Sequence, residues 1–543
     1  MSSIGPLPQF RLRVQANPSA PYLHQPLNGS WTSYSWQQVD DMARRIASGL
    51  QAMGLKAGDR VAILGKNSME WVVADFAIAM AGMVSVPIYS TAGTATIDYV
   101  LQHSGASALF VGKLDNTAAL LASEQSAPRI GFPYDGVVAD HQWSDWLTEY
   151  QPLQTIAEPG FDDIYTVVYT SGSTGKPKGV VLSGRNLAAA ASLGSMFFPK
   201  GCNRLLSYLP MAHITERSIV TMISLYTEAE IFFNDSLETF ISDLKHAQPT
   251  VFLSVPRLWA KFQAQILSQV SDKRLQRILS IPIVGKRAAA KIREQLGFAH
   301  CQSFGSGSAP ISPSLLQWYD RLGIHIAEAW GMSETSGGVV ANLPFSAARL
   351  GTIGEPLPGV ELKVADNGEL LIRGDAIFKQ YYNNPEATAD SFDGDWFKTG
   401  DKAVQDQQGA WKIVGRVKEQ FKTAKGKYVA PVPIECLLGA NSSIEQSCVT
   451  GSGLPQPIAL VVTNYKNTTT REEISQSLLS TLEATNKKLE SHERLAGIVV
   501  CDEVWSIEND MLTPTLKLKR DRIEAHYSDA IRRETSDKVA WTS

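Results

Sequence analysis

The densest chemistry in the sequence lies in eleven residues, Tyr169-Thr-Ser-Gly-Ser-Thr-Gly-Lys-Pro-Lys-Gly179. They hold four Ser or Thr, three Gly and two Lys. Glycines let a backbone approach an anion, hydroxyls and amide N–H groups donate to phosphate oxygens, and lysines supply charge. The stretch follows Val167-Val-Tyr169, which reads as a buried strand. The anion-binding candidates are Thr170, Ser171, Gly172, Ser173, Thr174, Gly175, Lys176 and Lys178. A Walker A loop needs Gly, four residues, then Gly-Lys-Ser/Thr. Here Pro177 follows Lys176, so a P-loop ATPase is disfavoured.

Further residues have types suited to the same work. Glu334 is a carboxylate that can hold Mg²⁺ with Thr170 as a hydroxyl ligand, because Mg²⁺ prefers hard oxygen donors and keeps phosphates and waters in its shell. Trp330 offers a flat face to a base. Asp401 can accept from two hydroxyls, although Gly-Asp alone also reads as a turn. Arg416 carries a permanent charge. The turn Gly305-Ser-Gly-Ser-Ala-Pro310 superficially suggests a dinucleotide fingerprint, but Pro310 stands where the third Gly belongs. His213 sits in a mainly apolar segment. Lys517, Lys519, Arg520 and Arg522 form a basic cluster of the kind that is usually a solvated face.

The elements that must position these groups follow from periodicity. Val39, Met42, Ile46, Leu50 and Met53 recur at helical spacing, and Gly54 follows as a C-terminal stop. Apolar runs at Val61–Leu64, Val84–Ile88 and Ala108–Val111 flank a helical stretch from Ser68 to Met83. This is βαβ rhythm, which implies parallel strands under covering helices. It continues at Thr166–Tyr169, Leu205–Leu209, Ile231–Phe233, Val251–Val255 and Ile324–Ala327. After about residue 345 the signals become short and antiparallel: Glu369–Arg373, then Ala403–Gln405 and Trp411–Val414 around Asp406-Gln-Gln-Gly409. Past Arg416 a smaller α+β segment has strands at Ile458–Val462 and Ile498–Cys501 and a helix from Arg471 to Leu489. The expected division is a large α/β domain over 1–416 and a small domain over 417–543.

Composition narrows the class. The chain has 543 residues, 50 Lys plus Arg against 54 Asp plus Glu, and 44% hydrophobic residues. That excludes a broad basic nucleic-acid surface and intrinsic disorder. Five cysteines at wide spacing without a CxxC argue against a disulfide framework or a zinc site. The first residues contain no apolar stretch of the secretory type, and the longest apolar run, Phe76–Ile88, is shorter than the roughly 20 residues a span needs. A cytoplasmic protein is expected. Peripheral contact with the inner membrane surface stays open, with no strongly amphipathic anchor evident.

The Tyr169–Gly179 loop resembles the signature of the adenylate-forming superfamily, which includes acyl-CoA synthetases, peptide-synthetase adenylation domains and firefly luciferase. Further motifs follow in that family's order. Tyr208-Leu-Pro-Met-Ala-His-Ile-Thr-Glu-Arg217 is similar to the long-chain fatty acyl-CoA synthetase version of the segment beside the acyl pocket. The turn with Gly307, Ser308, Ala309 and Pro310 matches the one along the adenine. Glu328-Ala-Trp-Gly-Met-Ser-Glu334 matches the aromatic-Gly-x-Thr-Glu motif, here with Glu328, Ala329, Trp330, Gly331 and Ser333. Asp401 and Arg416 match the ribose pair. Lys422 to Glu435 matches the opening of the small domain, and Leu512–Arg520 the ending that carries the catalytic lysine. Departures are Trp330 for the commoner Tyr, Ser333 for Thr, and Lys418 for Asp.

The resemblance implies the adenylate-forming fold: βαβ-type subdomains and a small β-barrel-like part in the large domain, and an α+β lid. It implies ATP, Mg²⁺ and CoA, with a long-chain fatty acid converted to acyl-AMP and then to acyl-CoA. It makes Lys517, Glu334 and His213 the catalytic residues and puts Thr170 and Glu334 at the metal. It adds Lys418, the hinge, and Lys422 to the nucleotide side. It implies a rotation of the small domain that exchanges Lys517 for the Gly426-Lys427-Tyr428 face on the CoA side. Val255–Trp259 resembles a stretch that helps wall the acyl tunnel. Rival readings are an acyl-AMP ligase serving an acyl carrier protein, an aryl or bile-acid CoA ligase, and a non-catalytic acyl or nucleotide sensor.

Overall fold

The structure is a computed structural model that describes residues 4–27, 29–170, 176–464, 470–513, 516–533 and 537–542. Its first layer is an eight-stranded sheet. Val84–Ile88, Arg60–Leu64, Ala106–Val111, Arg129–Gly131 and His141–Gln142 run parallel, as the βαβ rhythm requires. Ile164–Thr170 joins them in parallel at Ser85↔Thr166. The next strand, Lys178–Ser183, pairs with Ile164–Thr170 antiparallel, with Thr170 opposite Lys178. The strands on either side of the Gly/Ser/Thr stretch thus pair with each other, whereas a Walker stretch leads from a strand into a helix. Ser171, Gly172, Ser173, Thr174 and Gly175 lie outside the described residues.

The helix Met69–Met80 is buried on every side. Ser68 starts it by accepting from the Trp71 amide at 3.3 Å. The long apolar run is therefore a core helix followed by a core strand, and among the described residues no helix is long and apolar enough to cross a membrane.

A second sheet holds Val251–Ser254, Ser303–Ser306 and Ile326–Met332 in parallel, then Gly337–Ala341 and Glu355–Pro356 antiparallel. A third joins Arg204–Ser207 and Glu230–Phe233 to an N-terminal hairpin, Pro21–Leu27 with Ser30–Ser35, which the sequence pattern did not announce. Glu361–Val364, Glu369–Arg373, Trp396–Gln405 and Trp411–Arg416 form the antiparallel barrel-like part. Beyond Arg416 a separate four-stranded sheet, Ile444–Thr450, Ile458–Thr463, Ile498–Val500 and Val539–Trp541, packs on helices Pro431–Leu438 and Arg471–Asn486 around its own apolar core. It meets the rest of the chain through Arg257–Glu445 at 2.8 Å and Lys402–Gln420 at 3.0 Å.

Two local devices brace the segment after His213. Arg217, fully buried, donates to Asp75 and Thr166 and to the Ser85 hydroxyl at 2.7 Å. One guanidinium thus ties this segment to the buried helix and to two neighbouring sheet strands. Then Ser218–Ile223 is wound as a π-helix between α-helical Ile214–Arg217 and Ser224–Thr227. Hydroxyls compete for its carbonyls: Thr221 donates to Arg217 O at 2.7 Å, Ser224 to Val220 O, and Thr227 to Ile223 O at 2.9 Å. Side chains that serve carbonyls four residues back weaken the ordinary helical ladder. Wide turns of this kind recur beside functional sites.

An Asp75→Ala exchange strands the Arg217 charge in a dry interior. We expect a loss of about 3–5 kcal/mol, read as an earlier midpoint in chemical denaturation. A midpoint within error of wild type would contradict the role given to the pair.

Candidate active site

The antiparallel ladder places Asp401 directly opposite Arg416, and cross-strand partners on one face touch. The Arg416 Nε–H donates to Asp401 Oδ1 at 2.7 Å, and the Trp330 indole N–H donates to Oδ2 at 2.9 Å. Thr399 steadies the turn by accepting from the Asp401 amide at 3.1 Å and donating to Leu370 O at 2.7 Å. Asp401 is buried. A carboxylate has about four acceptor sites, so each oxygen keeps one for a ligand hydroxyl. Burial alone would lower the Arg416 pKa, but Asp401, Glu419 and Glu334 raise it overall.

Glu334 follows a bulge in the strand that carries Trp330. The register breaks between Trp330 and Gly331, and a Cβ on Gly331 would lie 1.9 Å from Gly337 O. Only glycine permits that approach. Ser333–Thr335 then forms a single 3₁₀ turn, closed by Ser336 N–H to Ser333 O at 3.0 Å. Glu334 is 8% exposed and makes no ion pair among the described residues. Its Oε1 accepts from Tyr381 Oη at 2.9 Å, and the Lys178 ammonium lies 4.7 Å from the Tyr381 ring centre. Tyr381 was not singled out in the sequence. It reaches the site because Gln380–Tyr381 adds an edge strand beside Lys178–Ser183, a pairing across some 200 residues that no local pattern announces.

His213 caps the helical turn Ile214–Arg217, its Nδ1 accepting from Thr215 N–H at 3.2 Å. That bond leaves the proton of the neutral ring on Nε2, which is free to donate. Burial, reinforced by Lys517, pushes the His213 pKa down to about 4. Lys517 itself is reached by solvent at its surface, yet the cleft around it lowers its pKa. Arg416 lowers it further, while Asp401, Glu334 and Glu419 hold it up. One lysine of the small part thus shares a field with Arg416, Asp401 and Glu334 of the large part.

The other basic residues of its cluster are engaged elsewhere. Arg520 makes a two-pronged pair with Glu435 at 2.6 and 2.8 Å, and Lys519 and Arg522 pair with Asp510.

Comparisons with known proteins give the family and the fold. The AMP-binding enzyme model matches residues 10–382, and the AMP-binding enzyme C-terminal domain model matches 418–536. The chain belongs to the AMP-binding enzyme family. The long-chain-fatty-acid–CoA ligase FadD15 of Mycobacterium bovis is 30% identical over 560 residues, covering 93% of this chain and 92% of its own. Among solved structures, the anthranilate CoA ligase AuaEII with anthranoyl-AMP superposes with a TM-score of 0.81 at 21% identity, over 97% of this chain and 98% of that one. The o-succinylbenzoate coenzyme A synthetase of Bacillus subtilis, solved with ATP and magnesium ion, gives 0.73 at 21% identity, over 95% and 99%. These neighbours share the fold of a large N-terminal and a small C-terminal part.

The remaining sequence-predicted residues of this AMP-binding enzyme fall as follows. Thr170 ends its strand, its hydroxyl 3.5 Å from Lys178 O, and Lys176 is exposed beyond it, 5.5 Å from the Tyr99 ring centre. Gly307 and Ser308 leave the strand Ser303–Ser306, with Ser308 in the left-handed region at φ 67°, and Ala309 and Pro310 are exposed. Ala329 lies between Trp330 and Glu328. The Glu328 carboxylate accepts from Gly351 N–H at 2.8 Å, and burial raises its pKa to about 8. It therefore holds the loop at Gly351. Lys418 is exposed in the turn after Trp411–Arg416. Gly426, Lys427 and Tyr428 are exposed on the hairpin Phe421–Val429, where the Lys422 ammonium lies 5.6 Å from the Tyr428 ring centre. Trp259, expected near an acyl tunnel, is fully buried among Phe252, Phe298 and Tyr319, its N–H on Gly305 O at 3.3 Å.

The sequence reading also passed over Glu216. Its Oε1 accepts from the Ser207 hydroxyl at 2.8 Å, Tyr208 N–H at 2.9 Å and Asn67 at 3.3 Å, and burial raises its pKa to about 8.

Two outcomes follow. Trp330→Phe keeps a flat ring but removes the donor to Asp401. We expect the KM for ATP to rise about tenfold, the loss of one moderate hydrogen bond to a charged group, with kcat little changed; an unchanged KM would contradict it. The second concerns Glu216. Its pKa is higher folded than unfolded, so its contribution is full below about pH 4.5 and is lost as pH rises toward 8. Glu216→Gln should therefore flatten the fall in stability between pH 5 and 8 by at least about 1 kcal/mol, measured by denaturation at both pH values. An equally steep fall in the variant would remove Glu216 from the account.

Proposed function

We propose that this enzyme activates a long-chain fatty acid with ATP to the acyl-adenylate and transfers the acyl group to CoA, releasing AMP and pyrophosphate. The observation that carries the reading is the buried Asp401 carboxylate clamped by Trp330 and Arg416, beside the buried Glu334, with Lys517 within electrostatic reach of all three charged groups. The long-chain assignment is supported by the named activity of the Mycobacterium bovis relative and by the His213–Arg217 segment. We read residues 1–416 as the large substrate-binding domain and 417–543 as the lid that brings Lys517.

A carboxylate is a poor electrophile, and forming a mixed anhydride with AMP supplies a good leaving group. As its oxygen attacks the α-phosphorus, negative charge builds on the phosphoryl oxygens. The Lys517 ammonium meets that charge in a cleft already fixed by protein dipoles, where it counts for more than in water. Asp401, clamped by Trp330 and Arg416, orients the ribose hydroxyls beside it. The neutral His213 donates from Nε2 to an oxygen of the acyl carboxylate, because its depressed pKa keeps the ring uncharged. Glu334 and Thr170 are hard oxygen donors suited to Mg²⁺, and a buried carboxylate without an ion pair among the described residues fits a cation. When bound, that ion supplies charge neutralisation at the phosphates. No protein nucleophile is required.

In the arrangement described, Lys517 serves the first half-reaction, and the hairpin with Gly426, Lys427 and Tyr428 stands exposed. We assign the second half-reaction to that hairpin after a rotation about Lys418.

The direct test is AMP release from Mg-ATP with a series of carboxylates from acetate to oleate and benzoate, with and without CoA. Turnover needing both a long-chain acid and CoA is expected. Acid-dependent pyrophosphate exchange without CoA turnover would redirect the acyl group to a carrier protein. In a matched pair of variants, Lys517→Ala should slow adenylation by at least about 100-fold while sparing thioester formation from supplied acyl-adenylate. Lys418→Pro should do the reverse, and equal loss of both steps in either variant would sink the two-conformation reading.

A further inference from the structure

The surface between residues 273 and 287 takes no part in the chemistry above. Helices Asp272–Leu279 and Pro282–Gln295 meet in a tight turn there. Ile281, Ile283 and Val284 stand at its tip, 50%, 69% and 50% exposed, with Pro282 also exposed between them. The turn is built rather than slack. Gly285 N–H donates to Ile281 O at 2.7 Å, Ile281 N–H to Ile278 O at 3.1 Å, and a Cβ on Gly285 would lie 2.4 Å from Leu279 O. The pair is fastened to the body by Leu275 in the core, by Trp318 Nε1–H to Asp272 at 3.0 Å, and by Arg321 to Gln276 at 2.9 Å. The aliphatic side chains are thus held outward by a fixed backbone.

Behind the tip lies a belt of cations. Lys273, Arg274, Arg277, Lys286 and Arg287 are all exposed, and no Asp or Glu occurs from 273 to 287. None of the five makes an ion pair among the described residues. The whole chain carries a formal charge of −4, so this is a local reversal of sign.

We propose that this helical hairpin docks on a lipid surface bearing anionic headgroups, with Ile281, Ile283 and Val284 entering the headgroup boundary and the five cations pairing with phosphates. Two features favour a lipid surface over an acidic protein. The tip is aliphatic, and residues 273–287 hold no aromatic side chain of the type that anchors protein interfaces. Its cations lie on both helices leading to the apolar tip, three on the first and two on the second, as suits an interfacial anchor. The inference stands on this surface alone and does not depend on which acid is activated. In the sequence the run Ile281-Pro-Ile-Val284 is only four residues long and broken by Pro, so no anchor was evident.

The test is co-sedimentation of the full chain with vesicles of phosphatidylcholine alone and of phosphatidylcholine mixed with phosphatidylglycerol. Binding to the anionic vesicles, falling as salt rises, is expected. Arg277→Glu, Lys286→Glu and Arg287→Glu together should weaken it by about 100-fold or more, at roughly fivefold per lost cation. Ile283→Ser with Val284→Ser should weaken it by about tenfold. The melting temperature of each variant reports that it is folded. A full chain that stays in the supernatant with both vesicle types overturns the proposal, as does binding that neither salt nor folded variants alter. Capture by a polyglutamate resin without vesicle binding also overturns it and assigns the surface to an acidic protein. The salt and headgroup dependence of the unmodified chain decides the matter should the variants not fold.

Discussion

Two cations, Lys517 and Arg416, crowd one cleft and must be balanced there. Arg416 disfavours the charge of Lys517, and burial disfavours both. The balance comes from Asp401, Glu334 and Glu419, carboxylates contributed by the barrel-like strands, the 3₁₀ turn after the Trp330 strand and the turn after Arg416. These five charges share one field, in which three carboxylates offset two cations, and Asp401 holds Arg416 by a hydrogen bond of 2.7 Å.

Such a field is useful only if its members cannot drift. The large part holds them with dry polar contacts. The Arg217 guanidinium bridges the His213 segment to Asp75, Ser85 and Thr166. The Gly331–Gly337 contact fixes the bulge between Trp330 and Glu334. Trp330 then anchors Asp401, and Tyr381 anchors Glu334. Asp401, Glu334 and Trp330 thus each have a contact that sets their direction. The π-helical turn Ser218–Ile223 lies between this frame and helix Gly184–Gly194, where departures from regular winding are kept in place by hydroxyls rather than by strain.

The small part is built to the opposite rule. Its sheet has its own core, and its contacts to the large part include the polar pairs Arg257–Glu445 and Lys402–Gln420. Polar contacts at a wet surface cost little to exchange. A seam of this kind suits the rotation proposed above.

Much of this was legible in the sequence because it is local. Period-2 and period-3.6 patterns gave the parallel strands, the covering helices and the antiparallel signals after residue 345. Ordered motifs resembling those of adenylate-forming enzymes pointed to Lys517, Glu334, Asp401, Arg416 and Trp330. Contacts distant in sequence were not legible. Tyr381 joined the site only when an edge strand paired across the sheet, and the Lys178 hairpin turned out antiparallel although its surroundings read as βαβ. Glu216 and Arg217 stand side by side in one motif, yet one is a carboxyl without a cation and the other a buried ion-pair partner; only packing separates them. The basic run from Lys517 to Arg522 looked uniform. Tertiary structure assigned Arg520 to Glu435, Lys519 and Arg522 to Asp510, and left Lys517 facing the cleft, because charge has no direction in a sequence until the fold supplies its neighbours.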